Sequence, residues 1–449
     1  MNREVPIMKR TLVPFALGLT LLAAPLAARS EETGSLVLTL EQTLGLAGEQ
    51  NRDVQKAREY GIQVEARYGE ERAAALPQFT LTGSGSYAGD ASQQGLGPPE
   101  RTDNYALTLG VTQPIFTWGK ISAGLKLADI GRSTAGDRLA GARGTALRDA
   151  AIAFYDVLLA REYAAVATQN LEQRARQLEE SRRRLAAGTV TDFDVLAASV
   201  AEQNARPDVI RTANRVSSAR EQLAFVLGVR GRAVDVTGSL VASAVALPDY
   251  ETAFQTAVAR RPELSELRKG RAMSEQMERV ERAGNKPSVG FAADLGWRAV
   301  DYDGKTGDGS AWSAGVQLSW PVFDGGRTKG AVTRTESETR SLGIDEARFL
   351  DALALETKTG VDAVRQAAAI VEALDGTVAE AERLLAMAEK GFALGVKVRL
   401  DVDDAQLNLL QARVGLARGR RDLLVAQVSL GWVTGELSPA PAAKTIEKP

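Results

Sequence analysis

Thr112-Gln-Pro-Ile-Phe-Thr-Trp-Gly-Lys120 is answered by Ser319-Trp-Pro-Val-Phe-Asp-Gly-Gly-Arg327. Pro114 pairs with Pro321, Phe116 with Phe323, Gly119 with Gly326 and Lys120 with Arg327, all at an offset of 207. The same offset relates Gly188 to Gly395, Asp194 to Asp401, Ala198 to Ala405 and Gly228 to Gly435. Chance supplies one such pair, not eight at one spacing. Upstream the offset becomes 210, as in Arg52-Asp-Val against Pro262-Glu-Leu and Leu76-Pro77 against Lys286-Pro287. The length difference falls between the two prolines, where a strand–loop–strand tolerates it. The chain is an internal duplication.

Working outward, each copy reads as the same order of elements. Helices are expected over 40–75 and 250–283. Strands follow at 79–87 with 104–116, and at 289–297 with 311–323. Very long helices then run over 120–187 and 327–394, and shorter helices return over 194–227 and 401–434. The first repeat spans 36–228, a linker 229–248, and the second repeat 249–435. The tail 436–449 is polar and Pro-rich and reads as disordered.

The strands alternate cleanly. Tyr105, Leu107, Leu109 and Val111 share one face, and Ala106, Thr108, Gly110 and Thr112 the other. Trp312, Ala314, Val316 and Leu318 oppose Ser313, Gly315, Gln317 and Ser319. Apolar residues with aromatic ends on one side, small and polar ones on the other, describe a lipid-facing strand around a wet lumen. A half-buried sheet in a soluble protein alternates in the same way. The N-terminus favours the membrane reading. Lys9 and Arg10, a short apolar run from Leu12 to Ala24, and Ala27–Ala28 form a signal peptide over 1–28. No later stretch is apolar enough for a spanning helix, so a membrane would be crossed by strands. Four strands close no barrel, since about eight is the practical minimum. Open edges in lipid are not viable, so several copies must share one wall.

The long helices reach about 100 Å each at ~1.5 Å per residue. Val402, Ala405, Leu409, Ala412, Leu416, Gly419, Leu423, Ala426 and Leu430 keep a strict heptad, which favours left-handed supercoiling. Pro207 is expected to kink or break the first returning helix. A plain coiled-coil tether of the envelope is the alternative, though it has no use for four amphipathic strands.

Composition excludes much chemistry. Cys and His are both absent, which removes disulfides, Cys/His zinc sites and the Ser–His–Asp and Cys–His nucleophiles. Lys and Arg number 55 against 57 Asp and Glu, so no nucleic-acid footprint follows. Gly119-Lys120 lacks the glycine and the Ser/Thr of a phosphate loop. No catalytic residues, metal site or cofactor are expected.

The two turns carry the most specific signal. Arg184-Leu-Ala-Ala-Gly188-Thr-Val-Thr191-Asp-Phe-Asp194-Val195-Leu196-Ala-Ala198 and Lys390-Gly-Phe-Ala-Leu-Gly395-Val-Lys-Val398-Arg-Leu-Asp401-Val-Asp-Asp404-Ala405 resemble the tip motifs of the TolC-like outer-membrane efflux protein family. The resemblance covers essentially the whole mature chain. It implies an α+β membrane protein, a homotrimer with a twelve-stranded β-barrel continued by a periplasmic α-helical coiled-coil barrel. It implies residence in a Gram-negative outer membrane, among its lipids, as the exit duct for drug efflux or type I secretion. Its implied partners are a periplasmic adaptor and an inner-membrane pump of the RND or ABC type. Arg184, Gly188, Thr191, Val195, Leu196, Gly395 and Val398 would form the adaptor-docking tip. Asp401 and Asp404 match a carboxylate ring at the channel entrance, although first-turn acids also stabilise a helix start. Phe392 stands where a relative has a tyrosine facing the Asp194 position, and Lys397 and Phe193 replace an arginine–threonine link. Lys397 to Asp194 is the expected substitute contact.

Physically, Gly188 and Gly395 suit left-handed helix ends, while Thr191 and Asp194 suit a helix start.

Overall fold

Two residues in succession with positive φ turn each strand into a long helix. They are Trp118 (φ 51) and Gly119 (φ 80) in the first repeat, and Gly325 (φ 66) and Gly326 (φ 86) in the second. The computed structural model describes residues 36–90, 100–241, 247–302 and 305–437. The expected signal at 1–28 and tail residues 438–449 lie outside these. All described residues belong to one compact unit, Ser35–Pro449.

The elements in order are β1 (Leu36–Leu38), α1 (Leu40–Gln50), α2 (Arg52–Ala73), β2 (Gln78–Asp90), β3 (Glu100–Phe116), α3 (Lys120–Ala186) and α4 (Asp192–Leu227). Then come β4 (Val234–Val236), α5 (Tyr250–Arg260), α6 (Pro262–Arg282), a 3-10 turn (Ala283–Asn285), β5 (Ser288–Tyr302), β6 (Lys305–Ser319), α7 (Arg327–Ala393) and α8 (Arg399–Val433).

The helix expected over 40–75 is two helices. Asn51 leaves helical geometry and its side chain accepts from the backbone N–H of Asp53 and Val54, starting α2 afresh. The helix expected over 250–283 is likewise divided, because Arg261 precedes Pro262 and is pushed to an extended conformation (ψ 116). Within the expected linker, β4 pairs in parallel with β1. Asp235 there receives Arg220 through two N–H donors at 2.8 and 3.0 Å and also binds Arg161, tying the connection to α3 and α4. Of the tail, Glu436 is held by Arg260 at 3.3 Å.

The four long strands form one antiparallel sheet in the order β2-β3-β5-β6. They exceed the expected lengths, with ladders reaching Asp90–Glu100 and Tyr302–Lys305. The last strand stops at Ser319 rather than 323, so Trp320 and Phe323 stand outside it. The register aligns Leu81, Leu109, Leu295 and Trp312 in one row across all four strands. Phe79, Tyr105, Leu107, Trp297, Val316 and Leu318 extend that exposed apolar face. Thr80, Gly110, Asp294 and Ser313 make the corresponding row on the opposite face. β2 and β6 are edges, and the sheet is not closed into a barrel.

Both long helices hold 67 residues. Among the described residues no helix is long and apolar enough to cross a membrane. The heptad in α8 points inward: all its residues except Ala426 are buried. They interleave with α7, as in the clusters of Ala381, Leu409 and Ala412 with Val378, and of Ala388, Val402 and Ala405 with Phe392. A larger core midway along the helices joins Phe154, Val157, Leu223 and Leu227 to Val234 and Val236. α4 runs through Pro207 without the expected break. Ala198, Glu202 and Ala205 are buried while Pro207 is exposed, so the ring faces outward and packing on the other side maintains the helix.

Candidate functional site: the helical tip

Both tips are built by the same device. α3 ends with Gly188 at φ 69, and α7 ends with Gly395 at φ 75. The N–H of Gly188 donates to Leu185 and that of Thr189 to Arg184, each at 2.9 Å. In the second tip Gly395 donates to Phe392 at 3.1 Å and Val396 to Gly391 at 2.9 Å. These paired reverse bonds satisfy the last carbonyls and need a left-handed residue, which glycine supplies without strain. Both glycines take the expected left-handed helix-end conformation.

The helices that return differ in how firmly they start. The Thr191 N–H donates to Asp194 Oδ2 at 2.8 Å, and the Asp194 N–H donates to Thr191 Oγ1 at 3.4 Å. This reciprocal box satisfies two otherwise orphaned donors. The bonds from the Thr191 backbone and hydroxyl hold the Asp194 carboxyl below the usual carboxylate range, with Arg399 adding a smaller contribution. In the second tip the Val398 N–H donates to Asp401 Oδ2 at 3.0 Å. Valine offers no acceptor in return, so that box is half made.

The tips meet at Arg184, whose guanidinium lies over the Phe392 ring at 5.5 Å. Glu180 steadies Arg184 through a 2.8 Å bond to its Nε. Lys397 does not reach Asp194 within the chain. It pairs with Asp401 at 3.7 Å, one turn along its own segment. The reason is local: the Lys397 stem lies across Gly391, where a Cβ would meet its Cγ at 2.6 Å. Asp404 is exposed and forms no ion pair among the described residues. Leu196, Val398, Phe193, Leu394 and Val396 are all exposed, and Val195 is half-buried, so the tip surface is apolar between its charges.

One cluster escaped the sequence reading. Arg174 on α3 donates to Asp403 Oδ1 on α8 at 2.5 Å. Arg399 approaches the other oxygen of Asp403 at 3.4 Å and donates to Gln177 Oε1 at 2.9 Å. The four side chains stitch the first long helix to the last returning one, just above the turns. The spacing of Arg399 and Asp403 by four places them on one face of a helix. That they face Arg174 and Gln177 is a tertiary fact.

The sequence profile described as "Outer membrane efflux protein" matches residues 43–229 and 253–436. The chain is 25% identical over 353 residues to the alkaline protease secretion protein AprF of Pseudomonas aeruginosa, covering 75% of this chain and 71% of that one. It is 26% identical over 425 residues to the cobalt-zinc-cadmium resistance protein CzcC of Cupriavidus metallidurans, covering 91% and 95%. The fold matches the Campylobacter jejuni CmeC outer membrane channel with a TM-score of 0.79 at 15% identity, over 97% of this chain and 95% of that one.

Proposed function

Because the chain belongs to the outer membrane efflux protein family, we propose that it is one subunit of a homotrimer whose twelve strands close a barrel. The protein is an outer-membrane exit duct of the efflux or type I secretion kind, with a large periplasmic part. The observation that carries the trimer is the sheet: a continuous exposed apolar face ending in two unpaired edges, β2 and β6. In lipid each unpaired backbone group costs several kcal/mol, so an edge strand of one copy must seal against the next. Three copies of four strands enclose a water-filled lumen, and the helices beneath continue its wall through the periplasm.

In this reading the two repeats, 36–228 and 249–435, share each subunit's part of the wall. Asp401 and Asp404, with Asp194, Lys397 and Phe392, surround the entrance. Arg184, Gly188, Thr191, Val195, Leu196, Gly395 and Val398 present the surface that a periplasmic adaptor grips, below an inner-membrane pump of the RND or ABC type. The pump supplies the work. The duct itself is passive and performs no catalysis.

The chain has no native cysteine, so introduced thiols report unambiguously. One cysteine on β2 and one on β6, oxidised in the membrane, should give covalent species ending at three subunits. A ladder that stops at dimers or continues past trimers excludes this closure. Absence of ion conductance by the purified oligomer would favour a structural tether instead.

A further inference from the structure

Where the strands hand over to the long helices, the polar face of the sheet and the helix starts border an open cavity of about 830 Å³. Gln78, Thr112 and Gln317 bring their strands' polar face to its wall, and Lys120, Lys286 and Arg327 supply positive charge. Lys120 and Arg327 are the first residues of α3 and α7 and occupy the same place in the two repeats. All three cations are exposed, and none makes an ion pair or side-chain hydrogen bond among the described residues.

Their neighbours are paired. Arg282 is held by Glu278 and Glu336, and Arg334 by Glu338. Glu281, a carboxylate on the wall, is bound to Arg334 at 3.2 Å. Asp324, three residues before Arg327, feels its charge but is committed chiefly to hydrogen bonds, accepting the N–H groups of Gly326 at 3.0 Å and Thr328 at 2.9 Å. Gly284 keeps the wall open: a Cβ there would stand 3.0 Å from Thr328 Oγ1 and 4.0 Å from the Arg327 guanidinium. The N-terminal ends of two 67-residue helices add positive potential at the same level. A concave wall with clustered charge of one sign concentrates counter-ions.

We propose that this cavity is an anion subsite in the duct wall, taking phosphate- or carboxylate-bearing solutes on their way out. The inference rests on the exit-duct reading above. Arg327 offers a fork for two anionic oxygens, while Lys120 and Lys286 act as point charges. The cavity lies on the polar face, opposite the apolar row of Leu81, Leu109, Leu295 and Trp312, so its ligand arrives from the lumen and not from lipid.

The test is current block by inorganic tripolyphosphate, using the full mature chain in bilayers of zwitterionic lipid. The wild type should conduct and be blocked. A variant carrying Lys120→Gln, Lys286→Gln and Arg327→Gln should conduct but need at least about tenfold more tripolyphosphate for half-block. Its block by hexaamminecobalt(III), read out at the carboxylates of the tip, should not change. Wild-type channels that conduct without tripolyphosphate block, or equal block of both proteins, overturn the subsite and leave the duct standing. Loss of co-purifying phospholipid in the triple variant, without any change in block, assigns the phosphate to a lipid headgroup and overturns it too. A wild type that does not conduct at all overturns the duct reading, and the subsite with it.

Discussion

Arg174 donates to the Asp403 carboxylate at 2.5 Å across 229 positions of sequence. The pair joins two helices that the turns alone leave independent, since each long helix is hairpinned only to its own return. Both side chains are mostly shielded, at 17% and 34% exposure, so solvent screens them less than an open surface pair. Asp403→Ala or Arg174→Ala should therefore loosen the tip and raise single-channel conductance several-fold. The double variant should add nothing to Asp403→Ala, because that change already removes the contact with Arg174 along with the one to Arg399. Conductance equal to wild type in all three would show that the pair is structural only.

Asp401→Ala with Asp404→Ala should weaken block by multivalent cations. In the proposed trimer these positions would place six carboxylates around the entrance, and their field would attract the blocker. Block that is unchanged by the double substitution removes both residues from the conduction path.

Acid should undo the first tip in a defined direction. The Asp194 carboxyl is held below the usual carboxylate range by the Thr191 backbone N–H, then by its hydroxyl. A depressed carboxylate contributes stability that is fully present above its unfolded pKa and is lost as pH falls through the folded one. Hydrogen exchange at the start of α4 should therefore be faster in Asp194→Asn than in wild type at neutral pH. In strongly acidic buffer the two should converge. A difference that persists unchanged in acid would mean that the carboxylate is not the source.

The two faces of the sheet should respond oppositely to charge. Leu109→Lys puts an ammonium in the apolar row, at a cost of about 2–4 kcal/mol per subunit near the bilayer midplane. Thr82→Lys puts the same group on the polar face, where water meets it. Heat-resistant oligomer recovered from membranes should fall sharply for the first and stay near wild type for the second. Equal recovery would contradict the assignment of faces.

Gly228→Ala should destabilise the packing of the end of α4 against the end of α1. Its φ is 72, and a Cβ there would stand 2.6 Å from the Gln50 carbonyl oxygen. Gly435 repeats the arrangement against Arg260, with φ 70 and a 3.0 Å approach to that carbonyl. The left-handed conformation alone costs a non-glycine residue about 1–2 kcal/mol. Thermal unfolding followed by circular dichroism should shift downward, and no shift would show that the backbone can yield.

Periodicity and duplication determine a good deal by themselves. The heptad from Val402 to Leu430 sets which face of α8 is buried, because side-chain direction follows the helical period whatever the neighbour. The alternation in β3 and β6 sets the apolar face for the same reason at period two. Gly188 and Gly395 announce the turns, since few other residues tolerate a left-handed helix end. Asn51 and Pro262 carried readable break signals as well, and the 3.6-residue pattern on either side obscured them.

Tertiary structure alone decided the rest. β4 is three residues long, too short to show a period, and becomes a strand only because β1 lies beside it. Pro207 is a breaker by local rule, yet α4 passes through it because the buried face opposite keeps the helix in place. Lys397 chose Asp401 over Asp194, and Arg174 found Asp403, through the geometry of packed helices. A sequence states what each segment prefers, whereas ion pairs between segments depend on distances that exist only once those segments are docked.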